Sequence, residues 1–350
     1  MLNSDLSYNP VGAAIGRPYD CAVIKQHAKS EFGKICLTGR GRFGIVRIMN
    51  FQEDRFMKLS ISSSSVFGIR ENGKVTFMPE FAIAQCAKAG FTRMEYNFLT
   101  GPANNKPLAG DNWQDRVLQL KDVLAENHMT VPYTHDFWFL MANAKGAEDI
   151  AHKEEQIRRS VAATAMLGCK NMVVHTQSVY DSEGYNLEKT NAYNRAFFSE
   201  IGELAARENI RLLVENVFPI ASCIDHACFP EEMAALMQEL NDPMFGICWD
   251  FGHANMAKVD HEKALEIIAP WLDLLHVDDN KATGDDHTVP GYGTVPWESV
   301  MKKLKAVGYQ GDLNLNVRIF AQTSLPQQQV EALKLLHTVG TDLIRMYNEA

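Results

Sequence analysis

The sequence has no run of 18 or more apolar residues, so no membrane-spanning helix is expected. Its first thirty residues contain no apolar stretch of the kind a secretory signal needs, and a cytoplasmic location is expected. Basic charge is scarce. The 34 Lys and Arg stand against 43 Asp and Glu, a net charge of −9 that repels phosphate backbones and counts against bulk nucleic-acid binding. The seven cysteines are odd in number and lack paired spacing, which suits reduced thiols rather than a disulfide framework. What is present is globular. With 46% hydrophobic and 22% charged residues, the disordered, collagen-like and coiled-coil classes are excluded, and 350 residues suffice for one large domain or two ordinary ones.

The charge is uneven. Residues 1–56 are net +3, glycine-containing and without a long amphipathic period, whereas residues 57–350 are net −12. From Met57 onward, short apolar or β-branched runs alternate with helical periods. The runs are Lys58–Ser62, Thr92–Asn97, Val131–His135, Asn171–Thr176, Arg211–Glu215, Phe245–Asp250, Leu272–Val277 and Leu313–Val317. Between them Trp113, Val117, Leu120 and Leu124 share one helix face, as do Phe197, Ile201, Leu204 and Ala205. Val330, Leu333, Leu336, Val339 and Leu343 do so near the end. Helix stops are expected at Gly90, Gly168 and Gly308. Eight strands each followed by a helix predict a (β/α)8 TIM barrel, α/β in class, over 57–350, with a short irregular N-terminal extension over 1–56. Met57-Lys58-Leu59-Ser60-Ile61 reads as the natural opening of a first strand. The 56 residues before it are expected to be a flexible extension or an in-frame stretch that the cell does not translate.

Three motifs are set aside. Gly39–Val46 matches G-x-G-x-x-G-x-V, and Asp250-Phe251-Gly252 spells D-F-G, but the kinase catalytic loop and lysine motif are missing. The residues after Gly44 favour a strand, whereas a dinucleotide fingerprint must open a helix. Cys223 and Cys228 flank His226 at a spacing unusual for zinc, and are read as incidental thiols.

The polar residues at predicted strand ends carry the chemistry. Glu95, His135, His175 and Glu215 recur at intervals of 40 residues, and Asp250, His276 and Asn316 follow. A TIM barrel gathers its C-terminal strand ends into one pocket, so these scattered residues are expected to converge. Glu215, Asp250 and His276 end three consecutive strands and together can hold one divalent cation. His253, three residues beyond Asp250, is expected in the same pocket, on substrate or on a second ion. His135 and His175 border Glu215 on its other side. Taken singly, each reads better as a satisfied core histidine; with Glu215 beside them, the functional reading is favoured.

The segment after strand seven, with His276, Asp278, Asp279, Asn280, Asp285, His287, Gly291 and Gly293, is the most specific. With V-E-N at 214–216, W-D-x-G-H at 249–253, H-x-x-D-N at 276–280 and D-x-H at 285–287, the chain resembles the xylose isomerase-like TIM barrels over about 57–345. That superfamily includes sugar isomerases, epimerases and endonuclease IV enzymes. The resemblance implies Glu215, Asp250 and His276 as ligands of the principal metal, with His253, Asp285 and His287 lining the site or holding a second ion. His135 and His175 match positions that bind further zinc in the endonuclease branch, and Glu95 matches a common strand-two acid. It also implies dimers or tetramers, a homo-oligomer. One position departs. Strand eight usually ends in a glutamate that bridges metal and substrate, and Asn316 takes its place. An amide oxygen can ligate a metal but is neutral and no base near pH 7. By period two, Asn314, Asn316 and Arg318 face the interior together.

The expected function is a metal-dependent sugar or keto-sugar isomerase/epimerase that abstracts a proton beside a metal-polarised carbonyl. The base is sought among Glu215, His253 and His175. The metal ligands are Glu215, Asp250, His276 and Asn316. Glu95, His135, Trp138, Asp285, His287 and Arg318 are expected on the small-molecule sugar, with Phe137 and Trp249 as further stacking candidates, although all three aromatic side chains suit packing equally well. The cofactor is expected to be Mn2+, with Zn2+, Co2+ and Mg2+ as alternatives. Asn316 shifts weight toward a one-base sugar lyase working by β-elimination, and it also suits a non-catalytic sugar-binding barrel. An abasic-site endonuclease gains from the His/Asp set and loses from the −12 charge and the missing acid.

Overall fold

The structure, a computed structural model, describes residues 57–66, 79–98, 108, 110–137, 144–219, 226–318 and 325–350, together with short strands at 21–22, 34–38, 42–46, 68–71, 74–77 and 322–323. Trp138 and Cys223, named above, lie outside the described residues. The chain divides into two units, Met1–Arg55 and Phe56–Ala350. In the first, Cys21–Ala22, Lys34–Thr38 and Arg42–Val46 form a three-stranded antiparallel sheet. Gly44 lies within its last strand, so the glycine run does not open a helix.

The second unit is a closed barrel of eight parallel strands: β1 (Leu59–Ser62), β2 (Arg93–Asn97), β3 (Thr130–His135), β4 (Asn171–Val174), β5 (Arg211–Glu215), β6 (Phe245–Asp250), β7 (Leu272–Val277) and β8 (Asp312–Leu315). Each adjacent pair is parallel, and β8 pairs with β1 to close the ring. The expected strands are all present: β5, β6 and β7 have the expected bounds, and the ends of the other five shift by one or two residues. His175 sits one residue past β4, and Asn316 one past β8. Helices surround the ring: α1 (Pro79–Lys88), α2 (Trp113–Glu126), α3 (Ala147–Met166), α4 (Leu187–Arg207), α5 (Pro230–Leu240), α6 (Phe251–Met256), α7 (His261–Ile268), α8 (Trp297–Ala306) and α9 (Pro326–Glu349). Their predicted apolar faces are the buried ones: Val117, Leu120 and Leu124 on α2, Phe197, Ile201 and Ala205 on α4, and Leu333, Leu336 and Leu343 on α9. Gly90, Gly168 and Gly308 follow helix ends with positive φ, as their positions predicted.

Strand alternation sorts the side chains. On β6, Ile247, Trp249 and Phe245 face the helices and join the large core between barrel and helices. Trp249 is fully buried there, which removes it from the sugar-stacking role considered from sequence. Phe137 is buried in the same core. The opposite face points into the barrel, where Tyr133, Val173, Leu213, Cys248 and Leu274 form a small separate apolar layer. Below it Arg93 donates two hydrogen bonds to the Asp312 carboxylate, at 2.9 and 3.0 Å. This apolar floor closes the barrel, so polar side chains one step further along each strand collect at the C-terminal mouth.

Candidate functional site

Six carboxylates and five imidazoles occupy that mouth: Glu95, Asp136, Glu215, Asp250, Asp278 and Asp285 with His135, His175, His253, His276 and His287. Glu215 is the hub. Its Oε2 lies 3.1 Å from His135 Nε2 and 3.0 Å from His175 Nε2, while its Oε1 lies 3.0 Å from His276 Nδ1 and 3.5 Å from His253 Nδ1. His276 Nδ1 is also 3.8 Å from Asp250 Oδ2, so Glu215, Asp250 and His276 converge as their strand-end positions predicted. Asp250 caps α6, its Oδ1 accepting from the His253 amide at 2.7 Å. Asn216 clamps the Asp250 backbone in both directions, donating to its carbonyl at 3.0 Å and accepting from its amide at 2.6 Å. The V-E-N and W-D-x-G-H motifs are thereby one structural unit.

The imidazoles share a pattern. His135 Nδ1 lies 3.3 Å from the Asp136 carbonyl, and His175 Nδ1 lies 3.3 Å from Asp136 Oδ1. His253 Nδ1 is 2.8 Å from the Asn216 carbonyl, and His287 Nδ1 is 2.9 Å from the Asn316 carbonyl and 2.7 Å from Asp278 Oδ2. In each, the other ring nitrogen is turned toward a carboxylate at the centre: Glu215 for the first two and Asp285 for the last two, at 3.8 Å from His253 and 3.1 Å from His287. His276 has the reverse orientation, with Nε2 on Glu95 and Nδ1 inward. One nitrogen anchored by an oxygen and the other presented inward is how proteins orient metal-binding histidines.

The electrostatics follow from this crowding. Burial opposes ionisation of Glu215, yet the imidazoles of His276, His175 and His135 hold its carboxyl well below the usual range. Burial alone lowers His175, but the Glu215 and Asp136 carboxylates outweigh it and raise the ring to about 9. His287 is raised to about 10 against its burial, first by Asp278. His276 is raised well above the ordinary value by Cys248, Glu215 and Glu95, again against burial. Asp250 moves the other way: burial, then the neighbouring Asp278 charge, pushes it up to about 7. Asp285 is held at about 2, against burial, by the His287 imidazole 3.1 Å away and by the His253 ring.

Five sets of three donor atoms lie within 4.8 Å of one another: His135, Asp136 and His175; Glu215, Cys248 and His276; Glu215, Asp250 and His253; Asp250, Asp278 and His287; His253, Asp285 and His287. Nitrogen and carboxylate donors in this density fit divalent cations. Asp250 Oδ2 is buried without a hydrogen-bond partner, 3.8 Å from His276 Nδ1, which leaves acceptor capacity among the donors.

The structure places the other predicted residues as follows. Glu95 is fully buried behind His276, on its outer nitrogen, rather than open toward a ligand. Asn316 is 1% exposed, its Oδ1 accepting from Ser64 Oγ at 2.9 Å; Ser64 Oγ in turn lies 2.9 Å from Ser62 Oγ. A buried serine chain therefore occupies the amide oxygen that was expected to ligate. Arg318 donates its amide to the His287 carbonyl at 2.9 Å, and its Nε is buried without a hydrogen-bond partner. Sequence reasoning missed Asp136 and Asp278. Asp136 follows His135 directly, and Asp278 lies inside the quoted motif.

Glu95→Gln tests the anchoring of His276. The amide cannot hold the imidazole as the carboxylate does, and metal affinity should fall about 10- to 100-fold without loss of the barrel, measured by competition with a chromogenic chelator.

Comparison with known proteins decides the family. A model of the xylose isomerase-like TIM barrel family matches residues 83–338. The chain belongs to that family. Among curated relatives, an uncharacterised protein of Methanocaldococcus jannaschii is 27% identical over 169 residues, covering 47% of this chain and 57% of that one. Another, y4fM of Sinorhizobium fredii, is 24% identical over 163 residues and 51% of its length. The match thus spans about half the length of these relatives. Among solved structures, a D-tagatose 3-epimerase-like protein superposes with a TM-score of 0.64 at 19% identity, covering 84% of this chain and 99% of that one. The 3-keto-D-glucoside 4-epimerase YcjR of E. coli gives 0.59 at 18%, covering 78% and 99%. At these identities the likeness establishes the fold. No helix of the described residues is long and apolar enough to cross a membrane.

Proposed function

We propose that this member of the xylose isomerase-like family is a metal-dependent sugar or keto-sugar isomerase/epimerase. The observation that carries the reading is the set of five imidazoles, each anchored on one nitrogen and turned toward Glu215 or Asp285 with the other. Glu215, Asp250 and His276 would hold the principal cation, and His253, Asp285 and His287 a second. Mn2+, Zn2+, Co2+ and Mg2+ are the candidates. When bound, the cation polarises a carbonyl and acidifies the adjacent C–H.

The protein's own groups do the rest. Glu215 is the proton acceptor, ionised at neutral pH by its imidazole neighbours. His175, with Nε2 3.0 Å from Glu215 Oε2, takes the proton from Glu215 and returns it. His253, fixed by the Asn216 carbonyl, passes protons between Asp285 and Glu215. His135, Asp285, His287 and Arg318 supply polar contacts to sugar oxygens. Return of the proton to the neighbouring carbon gives isomerisation, and return from the opposite face gives epimerisation.

A second reading has a specific observation behind it. With Asn316 neutral and engaged by Ser64, one carboxylate faces the reacting carbon where epimerases use two. Loss of a β-substituent needs only one base, so a sugar lyase on the same site is the alternative. The density of metal donors argues against a non-catalytic barrel, and the charge of −12 over residues 57–350 argues against an endonuclease.

Solvent deuterium separates these outcomes. Aldoses, ketoses and keto-glycosides incubated with the metal-loaded protein in D2O should yield at least one sugar labelled at the carbon next to its carbonyl. An unsaturated product marks the lyase. No label and no new product across the panel contradicts the proposal.

A further inference from the structure

The segment after β7 carries a buried carboxylate that the chemistry above does not use. Asp279 is fully buried, and each of its oxygens accepts two N–H groups. Oδ1 accepts from the Asn280 amide at 2.9 Å and the Val295 amide at 3.1 Å. Oδ2 accepts from the Gly291 amide at 2.8 Å and the Trp297 indole at 3.0 Å. Asp279 and Thr288, the residue after His287, also exchange both backbone hydrogen bonds, at 2.9 and 3.0 Å. The chain returning from His287 to α8 is therefore folded around one side chain. The fit leaves no room at Gly293, where a Cβ would collide with Asp279 Oδ1 and the Asn280 carbonyl. Asn280, also fully buried, fastens the other side. Its Nδ2 donates to the Gly252 carbonyl at 2.8 Å. Asn255 of α6 donates in return, to the Asn280 carbonyl at 3.0 Å and to Thr294 Oγ1 at 2.9 Å.

α6 carries His253, and the loop that Asp279 gathers carries Asp285 and His287, the three donors of one set. We propose that Asp279 is a positioning residue for the second cation: it folds the loop between β7 and α8 so that Asp285 and His287 meet His253, while Asn280 ties that loop to α6. This rests on the metal-dependent reading above. The position requires a carboxylate and not merely an acceptor. An amide has one oxygen and one NH2, so in either orientation two of the four N–H groups would face a donor. Buried N–H groups without an acceptor are costly, and the loop relieves that cost by opening. Glu215, Asp250 and His276 end β5, β6 and lie in β7, so the principal site is held by the barrel and does not depend on the loop.

Zinc binding separates the two sites. The full-length protein, stripped and then titrated with Zn2+ against a chromogenic chelator, should bind in two steps, and the step lost in Asp285→Ala marks the second site. Asp279→Asn should weaken that step about 10- to 100-fold and leave the other unchanged. Hydrogen exchange on the stripped protein gives a reading that needs no metal. The Gly291 and Val295 amides should exchange slowly in the wild type and fast in Asp279→Asn, with the amides of β5 protected in both. An unchanged second step, equal weakening of both steps, or no change in the Gly291 and Val295 amides overturns the inference and leaves the metal-dependent reading intact. A single step in the wild type overturns the second cation and the inference with it, and leaves the principal cation standing. No zinc uptake at all overturns the metal-dependent reading as well. If Asp279→Asn fails to fold, by circular dichroism, Trp297→Phe replaces it. That variant removes one of the four donors, keeps an aromatic ring, and should weaken the same step by a smaller factor; an unchanged step there overturns the inference.

Discussion

Glu215→Gln should leave a barrel that no longer holds its principal metal and no longer turns over. The carboxylate lies within 3.5 Å of nitrogens on four imidazoles, those of His135, His175, His253 and His276. It is buried, so its charge is matched only by those rings and by the cation they share. An amide of the same shape supplies no charge, and its NH2 confronts nitrogens that now turn toward it. Loss of a general base alone typically costs about 10^2- to 10^4-fold in rate, and loss of a metal ligand adds to that. The expected result is metal content near background and kcat/KM at the lower end of detection. Full metal occupancy with unchanged turnover would mean that Glu215 neither binds the cation nor moves the proton.

The second large effect is on stability in the metal-free protein. His175 and His287 have folded values of about 9 and about 10, above the roughly 6.5 of an unfolded chain. Groups raised by folding stabilise fully below the unfolded value and lose that contribution as pH rises through the folded one. Asp250, raised to about 7, acts in the same direction at lower pH: its contribution is complete below about 4 and gone above 7. Asp285, held at about 2, has the opposite sign and matters only on the acid side, where its contribution is lost as pH falls through 2. The stripped protein should therefore lose stability steadily between pH 6 and pH 10, with Tm falling by on the order of 10 °C. Metal binding requires neutral imidazoles and tightens as pH rises. The gap between loaded and stripped Tm should accordingly widen with pH. Parallel curves would mean that these rings do not face the cation.

The barrel was legible because its signal is local. Short apolar runs such as Arg211–Glu215 and Phe245–Asp250, buried along nearly their whole length and separated by faces such as Val117, Leu120 and Leu124, report burial directly in the sequence. The convergence of Glu215, Asp250 and His276 was legible for the same reason, since strand ends of a barrel meet wherever they fall in the chain. Roles set by closure across the ring were not legible. Glu95 and His276 are 181 residues apart, and only the pairing of β8 with β1 puts the acid behind the imidazole. Asn316 and Ser64 are 252 apart and meet through the same closure. Trp249, which the sequence left open between stacking and packing, packs for a local reason: it alternates with Cys248 and Asp250, so a strand that points its acid inward must turn the indole toward the helices.

The central claim is that this mouth removes a proton beside a carbonyl under metal control. The most direct measurement is deuterium wash-in run as a pair, with metal-loaded and chelator-stripped protein on the same sugar panel. The account predicts label next to the carbonyl of at least one sugar in the loaded sample, none in the stripped one, and recovery when metal is returned. Equal labelling with and without metal, or none in either, would contradict it.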